Sequence, residues 1–137
     1  MRTQPQEATR VASWMGPAHC RNLLASTRVC RLAFVADGRP QIVVLNHAVD
    51  GEDVVFQTSP ETRLAGLTAN GATVTVTIEA DSASGAMHKG WSIVASGQLS
   101  RTTAPDIGHH PTPWRDDAVG VLLRMTVEQI HGQVVGA

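Results

Sequence analysis

Residues 72–80 alternate between polar and apolar side chains, and this pattern restricts the fold more than any other feature of the chain. Val74, Val76 and Ile78 are each separated by one threonine. A period of two is that of a β-strand, because successive side chains of a strand point to opposite faces of the sheet. The segment is therefore predicted to be a strand with one buried face and one polar face.

Turn residues divide the first half of the chain into further strands. Asp37-Gly38-Arg39-Pro40 and Asp50-Gly51-Glu52-Asp53 separate three runs rich in β-branched residues, which is typical of antiparallel hairpins. The charged side chains of the second turn are interpreted as solvated. Over the whole chain, the patterns predict helices at Pro17–Ser26 and Pro60–Ala69, and strands at Val29–Ala36, Gln41–Val49, Val54–Thr58, Ala72–Ala80, Gly90–Arg101, Val119–Met125 and Ile130–Val135.

These elements indicate a mainly β fold with short helices. Six or seven strands, mostly antiparallel, favour a small β-barrel over a parallel α/β sheet. The chain has 137 residues, of which 42% are hydrophobic, so it is long enough for one domain with a substantial core. We expect the domain to cover residues 17–137 and a mobile polar segment to cover residues 1–16.

Composition excludes several kinds of partner. The formal net charge is −1 and the sequence has no basic stripe, so nucleic-acid binding is not expected. The longest apolar runs, such as Val121-Leu122-Leu123, are too short to span a membrane. The N-terminus is charged where a signal peptide needs an apolar core, so we expect a cytoplasmic protein. Cys20 and Cys30 lack the spacing of a metal or redox pair and are predicted to be buried, reduced thiols.

A cluster of polar residues follows the third predicted strand. Ser59 is a good N-cap and Pro60 suits the first position of a helix, so backbone N–H groups and the positive end of the helix dipole would gather near Thr58, Thr62 and Arg63. This arrangement is typical of a phosphate pocket. The alternative interpretation is an ordinary helix start in which an acidic residue complements the dipole.

Several short motifs, taken in order, resemble the pyridoxamine 5'-phosphate oxidase-like proteins of the flavin-binding split-barrel superfamily. The resemblance extends from Pro17 to Val135. It implies a six-stranded Greek-key split barrel that forms a homodimer, with flavin mononucleotide (FMN) or the deazaflavin coenzyme F-420 in the groove between subunits and redox chemistry on a small-molecule substrate. The motifs are Arg31-Leu32-Ala33-Phe34, Asp37-Gly38-Arg39-Pro40-Gln41-Ile42-Val43, Val49-Asp50-Gly51, Val55-Phe56-x-Thr58, Thr62-Arg63-Leu64 and Gly90-Trp91-Ser92-Ile93-x-x-x-Gly97.

The resemblance also implies a set of cofactor-binding residues. Thr62 and Arg63 would bind the phosphate, with the arginine fork replacing the family's common lysine. The remaining positions are Thr58, which adds a hydroxyl; Val43, Val44 and Asn46, which pass beneath the isoalloxazine ring and offer backbone groups; and Trp91 and Ser92, which line the dimer groove. For Trp91, a core or interface position is the alternative. No residue is assigned as a catalytic acid or base, since the chemistry would belong mainly to the cofactor.

Four residues depart from the family pattern. Glu61 and Cys30 stand where glycine is common, and a carboxylate at residue 61 would oppose a bound phosphate. His47 follows Asn46 where an aromatic residue is common and is interpreted as a hydrogen-bonded histidine of the strand. Gln133 stands where the family often has an arginine. These departures keep two alternatives open: a non-catalytic protein that binds flavin or another phosphorylated ligand, and a degenerate barrel without cofactor.

Other kinds of site have less support. His109 and His110 are adjacent, and with Asp106, Asp116 and Asp117 they make only a loose set, so no metal site is predicted. The sequence lacks a Gly-x-Ser-x-Gly motif and a recognisable carboxylate pair, so nothing favours a hydrolase.

Overall fold

Seven strands and two helices make up the part of the chain that the computed structural model describes, namely residues 12–84, 89–109, 111 and 120–136. Short 3₁₀ turns cover Ala69–Gly71 and Ala104–Asp106. In chain order the elements are β1 (Ala12–Met15), α1 (Pro17–Ala25), β2 (Val29–Ala36), β3 (Arg39–Asp50), β4 (Asp53–Thr58), α2 (Arg63–Leu67), β5 (Val74–Ser84), β6 (Lys89–Arg101) and β7 (Val121–Val135).

All the strand pairs are antiparallel, and the sheet order is β1-β7-β4-β3-β2-β5-β6. A further pairing between β6 and β7 closes six of the strands into a barrel. Closure gives every strand of the ring two neighbours, which protects the backbone groups that an open sheet edge would expose. The mainly β split-barrel fold predicted from the sequence is therefore confirmed.

β7 is one continuous strand and not the two predicted strands with a link at residues 127–129. Ser96 of β6 pairs with Gln129 and Gly97 pairs with Val127, so Glu128 is an extra residue in a β-bulge. A Cβ atom at Gly97 would overlap the carbonyl group of Thr126, and glycine permits this close approach. The bulge bends β7 without ending it. The polar residues at the bulge resemble those of a turn, and this is why two strands were predicted.

β1 lies in a stretch that was expected to be a mobile polar segment. Its four residues pair with the second half of β7, from Ala12 opposite Val135 to Met15 opposite Gly132. The ring of Trp14 meets that of His131 edge to face, with 6.0 Å between the ring centroids. This strand was missed because four residues carry no periodicity, and their stability comes from a partner over a hundred positions away. Residues 1–11 lie outside the described part of the chain.

The barrel interior holds the core, and the two helices cover openings in it. α1 contributes Cys20 and Leu24 to the core, while α2 contributes Leu64 and Ala65. Arg101 of β6 donates a hydrogen bond of 2.7 Å to the carbonyl oxygen of Ala65, which holds α2 at one end of the barrel. We call this end the α2 end.

Both cysteines are buried and free, as predicted. Burial raises the pKa of Cys30 to about 12, so its thiol stays protonated at neutral pH. Burial also raises the pKa of Cys20. The thiols therefore act as small apolar side chains of the core.

The charged side chains of the turn between β3 and β4 were interpreted as solvated, and the structure corrects this interpretation. Asp50 accepts a hydrogen bond of 2.7 Å from Arg124 of β7, and Asp53 accepts one of 3.0 Å from the same guanidinium. Asp50 also accepts from the backbone N–H of Gly108, and the Arg124 guanidinium reaches the carbonyl of Asp106. This Arg124 cluster ties the β3–β4 hairpin to β7 and to the segment after β6.

None of the described helices is long and apolar enough to cross a membrane.

Candidate functional site

The phosphate pocket predicted from the sequence differs in its detail, because α2 begins later than expected. Its N-cap is Thr62 and not Ser59, and the helix covers five residues where the prediction had Pro60–Ala69. The Thr62 hydroxyl accepts a hydrogen bond of 3.2 Å from the backbone N–H of Ala65 and donates one of 2.9 Å to the carbonyl of Ser59. Ser59 was the predicted N-cap, and the observed N-cap stands three residues later.

The hydroxyls of Thr58 and Thr62 are joined to each other. Their oxygens lie 3.0 Å apart, and Thr58 must be the donor because the Thr62 proton already goes to Ser59. Thr58 is buried at the end of β4. Both hydroxyl protons therefore hold the turn between β4 and α2 in place, and a phosphate would have to displace these bonds to use them.

Arg63 is the exposed cation of this region. Its side chain is 53% exposed, and its Nη2 atom lies 2.7 Å from Oδ2 of Asp37, whose side chain is 79% exposed. Asp37 and Gly38 form the β2–β3 turn with positive φ angles of 54° and 71°, as a type I′ hairpin requires. Exposed ion pairs of this kind contribute about 0–1 kcal/mol, so the guanidinium can exchange its carboxylate for another anion at little cost. Apart from the predicted turn, no sequence pattern indicated this ion pair.

β3 changes its partner midway, and this opens an edge in the sheet. Its first half pairs with β2, while its pairing with β4 runs from Asp50–Asp53 to His47–Phe56 and ends there. The backbone N–H of His47 bonds to the carbonyl of Arg28, so odd-numbered residues of β3 direct their backbone groups toward β2. The backbone groups of Val44 therefore point to the other side, beyond the end of the β3–β4 ladder.

This open edge of β3 lies beside the turn that carries Arg63. Continuing the register would place Thr58 opposite Leu45, and the chain leaves the sheet immediately after Thr58. Of the three β3 residues predicted to offer backbone groups to a ring, Val44 thus faces the gap. Asn46 lies opposite Gln57 of β4 when the register is continued, and it has an interaction of its own. Val43 directs its backbone toward Leu32 of β2 and packs its side chain against the core.

The outer face of β2 and β3 is apolar and exposed. Its large side chains are 43–69% exposed, and a cluster of this kind on one sheet face is typical of an interaction surface. In the middle of the surrounding sheet, Arg31 forms ion pairs with Glu79 and Asp81 of β5 at 2.9 and 3.0 Å. The apolar outer face consists of Val29, Val35, Ile42 and Val44.

Trp91 and Ser92 lie far from Arg63 within one chain. Ten residues of β6 separate Trp91 from Arg101, which touches α2, and at ~3.3 Å per residue this is roughly 33 Å. Trp91 is half-buried and packs against the core, while Ser92 pairs with Gln133 on β7. One chain therefore brings Thr58, Thr62 and Arg63 together and leaves the other two predicted residues at the opposite end of the barrel.

Two of the departures from the family pattern have structural roles. His47 is 3% exposed, and its Nε2 atom lies 2.9 Å from the carbonyl of Leu24 and 3.2 Å from the hydroxyl of Thr27. Burial lowers the pKa of His47, so the ring is neutral and donates to Leu24. It fastens α1 to β3 through Nε2, as expected of a histidine with a structural role, whereas its buried Nδ1 atom has no hydrogen-bond partner among the described residues. Cys30 points into the core from β2.

Among the described residues, no group of three or more His, Cys, Asp or Glu side chains is arranged to hold a metal ion. His109 and Asp106 belong to this part of the chain, whereas His110, Asp116 and Asp117 of the loose set lie outside the described residues.

A family model described as pyridoxamine 5'-phosphate oxidase matches residues 17–133, which is most of the chain. The chain belongs to this family. No functionally curated protein matches it significantly. The suspected membership is therefore confirmed, and the family model ends before the last residues of β7.

Several solved structures have the same fold as this chain of the pyridoxamine 5'-phosphate oxidase family. An FAD-binding protein from Mycobacterium smegmatis is 24% identical, with a TM-score of 0.69 over 90% of this chain and 98% of that one. An FAD-binding protein from Mesorhizobium loti is 23% identical, with a TM-score of 0.72 over 93% and 99% of the two chains. An FAD- and haem-binding protein from M. smegmatis is 12% identical, with a TM-score of 0.67 over 90% and 72%. At these identities the likeness establishes the fold.

Proposed function

We propose that this chain binds a flavin-type cofactor at the open edge of β3, as a homodimer, and uses it for redox chemistry on a small molecule. The observation that carries the proposal is the open edge itself. The backbone N–H and C=O groups of Val44 face a gap whose other side is formed by the turn before Arg63. A ring with hydrogen-bonding atoms along one edge and a phosphate at a distance suits a strand edge next to an exposed guanidinium.

The residues present fit such a cofactor in part. Arg63 offers an exposed, permanently charged fork for the phosphate, and backbone groups of β3 offer a donor and an acceptor for the ring. Thr58 and Thr62 support this geometry by fixing the turn, since their protons are already used. When bound, the cofactor would supply the hydride or electron transfer. The chain's own contribution is then to hold the phosphate, orient the ring and exclude water with the apolar outer face.

The same geometry supports the proposed homodimer. The apolar outer face of β2 and β3 needs a cover, and a second copy of the chain provides one by two-fold symmetry. Trp91 and Ser92 lie roughly 33 Å along β6 from the α2 end, so they could join Arg63 only across an interface. Sedimentation at micromolar concentration should give a dimer, and a stable monomer would refute both the dimer and the shared groove.

The identity of the cofactor is open to direct measurement. FMN and F-420 were expected from the sequence, and the FAD-binding neighbours add the dinucleotide. The purified protein should show the visible absorption of a bound flavin or deazaflavin, or should acquire it when FMN, FAD or F-420 is added back. If none of them binds, the chain is a degenerate barrel or takes another phosphorylated ligand. If one binds without turnover of any reductant, the chain is a carrier.

A proline substitution tests the open edge. Val44→Pro removes the N–H that points away from β2, so the β2–β3 ladder loses no hydrogen bond. We expect flavin affinity to fall at least about tenfold, the loss of one well-placed hydrogen bond to a bound ring. Val44→Ala, which keeps the N–H, is the matched control and should bind nearly as the unmodified chain. Equal losses in the two variants would place the ring elsewhere.

A further inference from the structure

Three charged side chains lie next to the apolar outer face, on the same side of the sheet. Arg31 of β2 stands opposite Val44 of β3 on one side and opposite Glu79 of β5 on the other. Val29, two positions before Arg31 on β2, also points outward, because buried and exposed residues alternate along this strand. A partner that covers the apolar outer face therefore also covers Arg31. We call Arg31, Glu79 and Asp81 the Arg31 cluster.

The Arg31 cluster has one cation for two carboxylates, which gives it a net charge of −1. Nη1 of Arg31 lies 2.9 Å from Oε1 of Glu79 and 3.0 Å from Oδ2 of Asp81, so a single nitrogen serves both. The two carboxylates are two positions apart on β5 and share one face of the sheet. Their side chains are 34% and 35% exposed, so water still reaches both and reduces the repulsion between them.

Glu79 is the member of the cluster that binds a proton most readily. Partial burial and the Asp81 carboxylate raise the pKa of Glu79, and the Arg31 guanidinium opposes this rise. Val94 of β6 stands directly opposite Glu79 and offers it no charge. The charged and titratable groups around Glu79 are Arg31 and Cys30 from β2, Asp81 on β5 itself and, beyond Val94, His131 of β7.

We propose that the homodimer forms through a proton-linked interface, in which Glu79 takes up a proton from solvent as the second copy covers the Arg31 cluster. This inference rests on the proposed function, which places the second copy on this face. Covering the cluster removes the water that screens the two carboxylates, and one guanidinium does not compensate both. A protonated Glu79 leaves one carboxylate for one guanidinium and can donate a hydrogen bond to Asp81. The dimer, and with it the groove between the subunits, is therefore more stable in mild acid.

The sign of the pH dependence follows from the linkage of proton binding to association. A carboxyl group whose pKa is higher in the dimer than in the monomer favours association below its pKa in the monomer. This contribution is lost as the pH rises through its pKa in the dimer. One proton per subunit gives the logarithm of the dissociation constant a slope of at most about 2 per pH unit. We expect the constant to be at least about tenfold lower at about pH 5.5 than at about pH 7.5.

Sedimentation of the full chain from nanomolar to micromolar concentration, at both pH values, measures the dissociation constant. Glu79→Gln imitates the protonated carboxyl group, so it should tighten the dimer at least about tenfold at the higher pH and remove most of the pH dependence. Glu52→Gln is the matched control, because it makes the same exchange at a side chain that is 84% exposed in the β3–β4 turn. It should keep the full pH dependence. If the dimers are too tight to dissociate, Ile42→Ala in all three chains removes apolar contact area and brings them into range.

Each contrary outcome has a separate meaning. Equal dissociation constants of the unmodified chain at the two pH values would overturn the proposal and leave the proposed homodimer standing. Weaker association of Glu79→Gln would mean that a cation of the second copy pairs with the carboxylate, which also overturns it. If the pH dependence persists in Glu79→Gln, another group such as His131 causes it, and the proposal is wrong. A monomer at both pH values would refute the homodimer of the proposed function itself.

Discussion

Two Asp-Gly turns of this barrel each pair an aspartate with an arginine. The two pairs have the same chemistry but differ in exposure and in the number of their hydrogen bonds. Asp37 and Arg63 meet through one contact, and both side chains are more than half exposed. In the Arg124 cluster, the arginine and Asp50 are 21% and 19% exposed and share further hydrogen bonds with Asp53 and two backbone groups.

The difference separates a structural ion pair from an exchangeable one. Breaking the Arg124 cluster would leave partly buried charges without a partner and would detach the segment after β6. The cluster is therefore structural. Breaking the Arg63–Asp37 pair exposes nothing that water cannot solvate. Under the proposed function, a ligand phosphate would take the place of Asp37, so that the same residue types would serve stability at one turn and recognition at the other.

The largest expected effect is on stability at the Arg124 cluster. Arg124→Met should lower the free energy of unfolding by about 2–3 kcal/mol, because two carboxylates lose their cation. Arg63→Met should change it by no more than about 0.5 kcal/mol. Urea unfolding of both variants, with m-values compared, measures the contrast. Similar losses in the two would mean that Arg63 is also an architectural residue.

The second prediction reverses the contrast in a binding experiment. Arg63→Ala should weaken FMN binding about tenfold to a hundredfold, as the loss of a charge-assisted bond of ~1.5–3 kcal/mol implies. Arg63→Lys should weaken it less. Riboflavin, which lacks the phosphate, is the control ligand and should bind the alanine variant as it binds the unmodified chain. If the penalty for removing the phosphate is as large in the variant, Arg63 does not bind it.

The third prediction concerns the carboxylates near the phosphate site. Because Asp37 contacts the Arg63 guanidinium, Asp37→Asn should tighten FMN binding several-fold, and more so at low salt. Glu61→Gln should tighten it less, since Asp37 and not Glu61 contacts the Arg63 guanidinium in the described structure. Titrations at two salt concentrations compare the two variants. Weaker binding in Asp37→Asn would make this carboxylate a positioning group for Arg63.

The smallest expected effect is on how the stability of the fold depends on pH under acidic conditions. The Arg124 guanidinium and the N–H of Gly108 lower the pKa of Asp50 from its usual 3.8. A lowered pKa in the folded state adds stability above pH 3.8 that is lost as the pH falls toward the folded value. Asp50→Asn should therefore flatten the pH dependence of the melting temperature below about pH 4, while the same exchange at Asp37 serves as the comparison. An unchanged slope in Asp50→Asn would contradict the assigned cause.

Local patterns predicted most of the strands because each pattern is complete within a few residues. β2 has the predicted bounds, and the Asp37-Gly38 turn has the positive φ angles that its sequence requires. The helix at α2 shows the limit of this method. Ser59 is the better N-cap by residue type, but Thr62 caps the helix, because its hydroxyl accepts from the N–H of Ala65 and bonds to Thr58.

The cofactor-binding role of the candidate residues stays a prediction. Arg63 and the backbone of Val44 lie near each other because the strand edge and the turn follow from the order of elements. The contact between Asp37 and the Arg63 guanidinium had no signal in the sequence, since it depends on which turns the closed barrel brings together.

The sequence by itself determined the period-two strands, the hairpins and the burial of the cysteines, since these follow from side-chain alternation and turn chemistry over a few positions. Tertiary structure alone decided that β7 would join β1, β4 and β6, that Arg124 would hold Asp50 from 74 positions away, and that β3 would keep an open edge beside Arg63. Those features arise from contacts between distant segments, whose free energy depends on the packed barrel and not on any local run of residues.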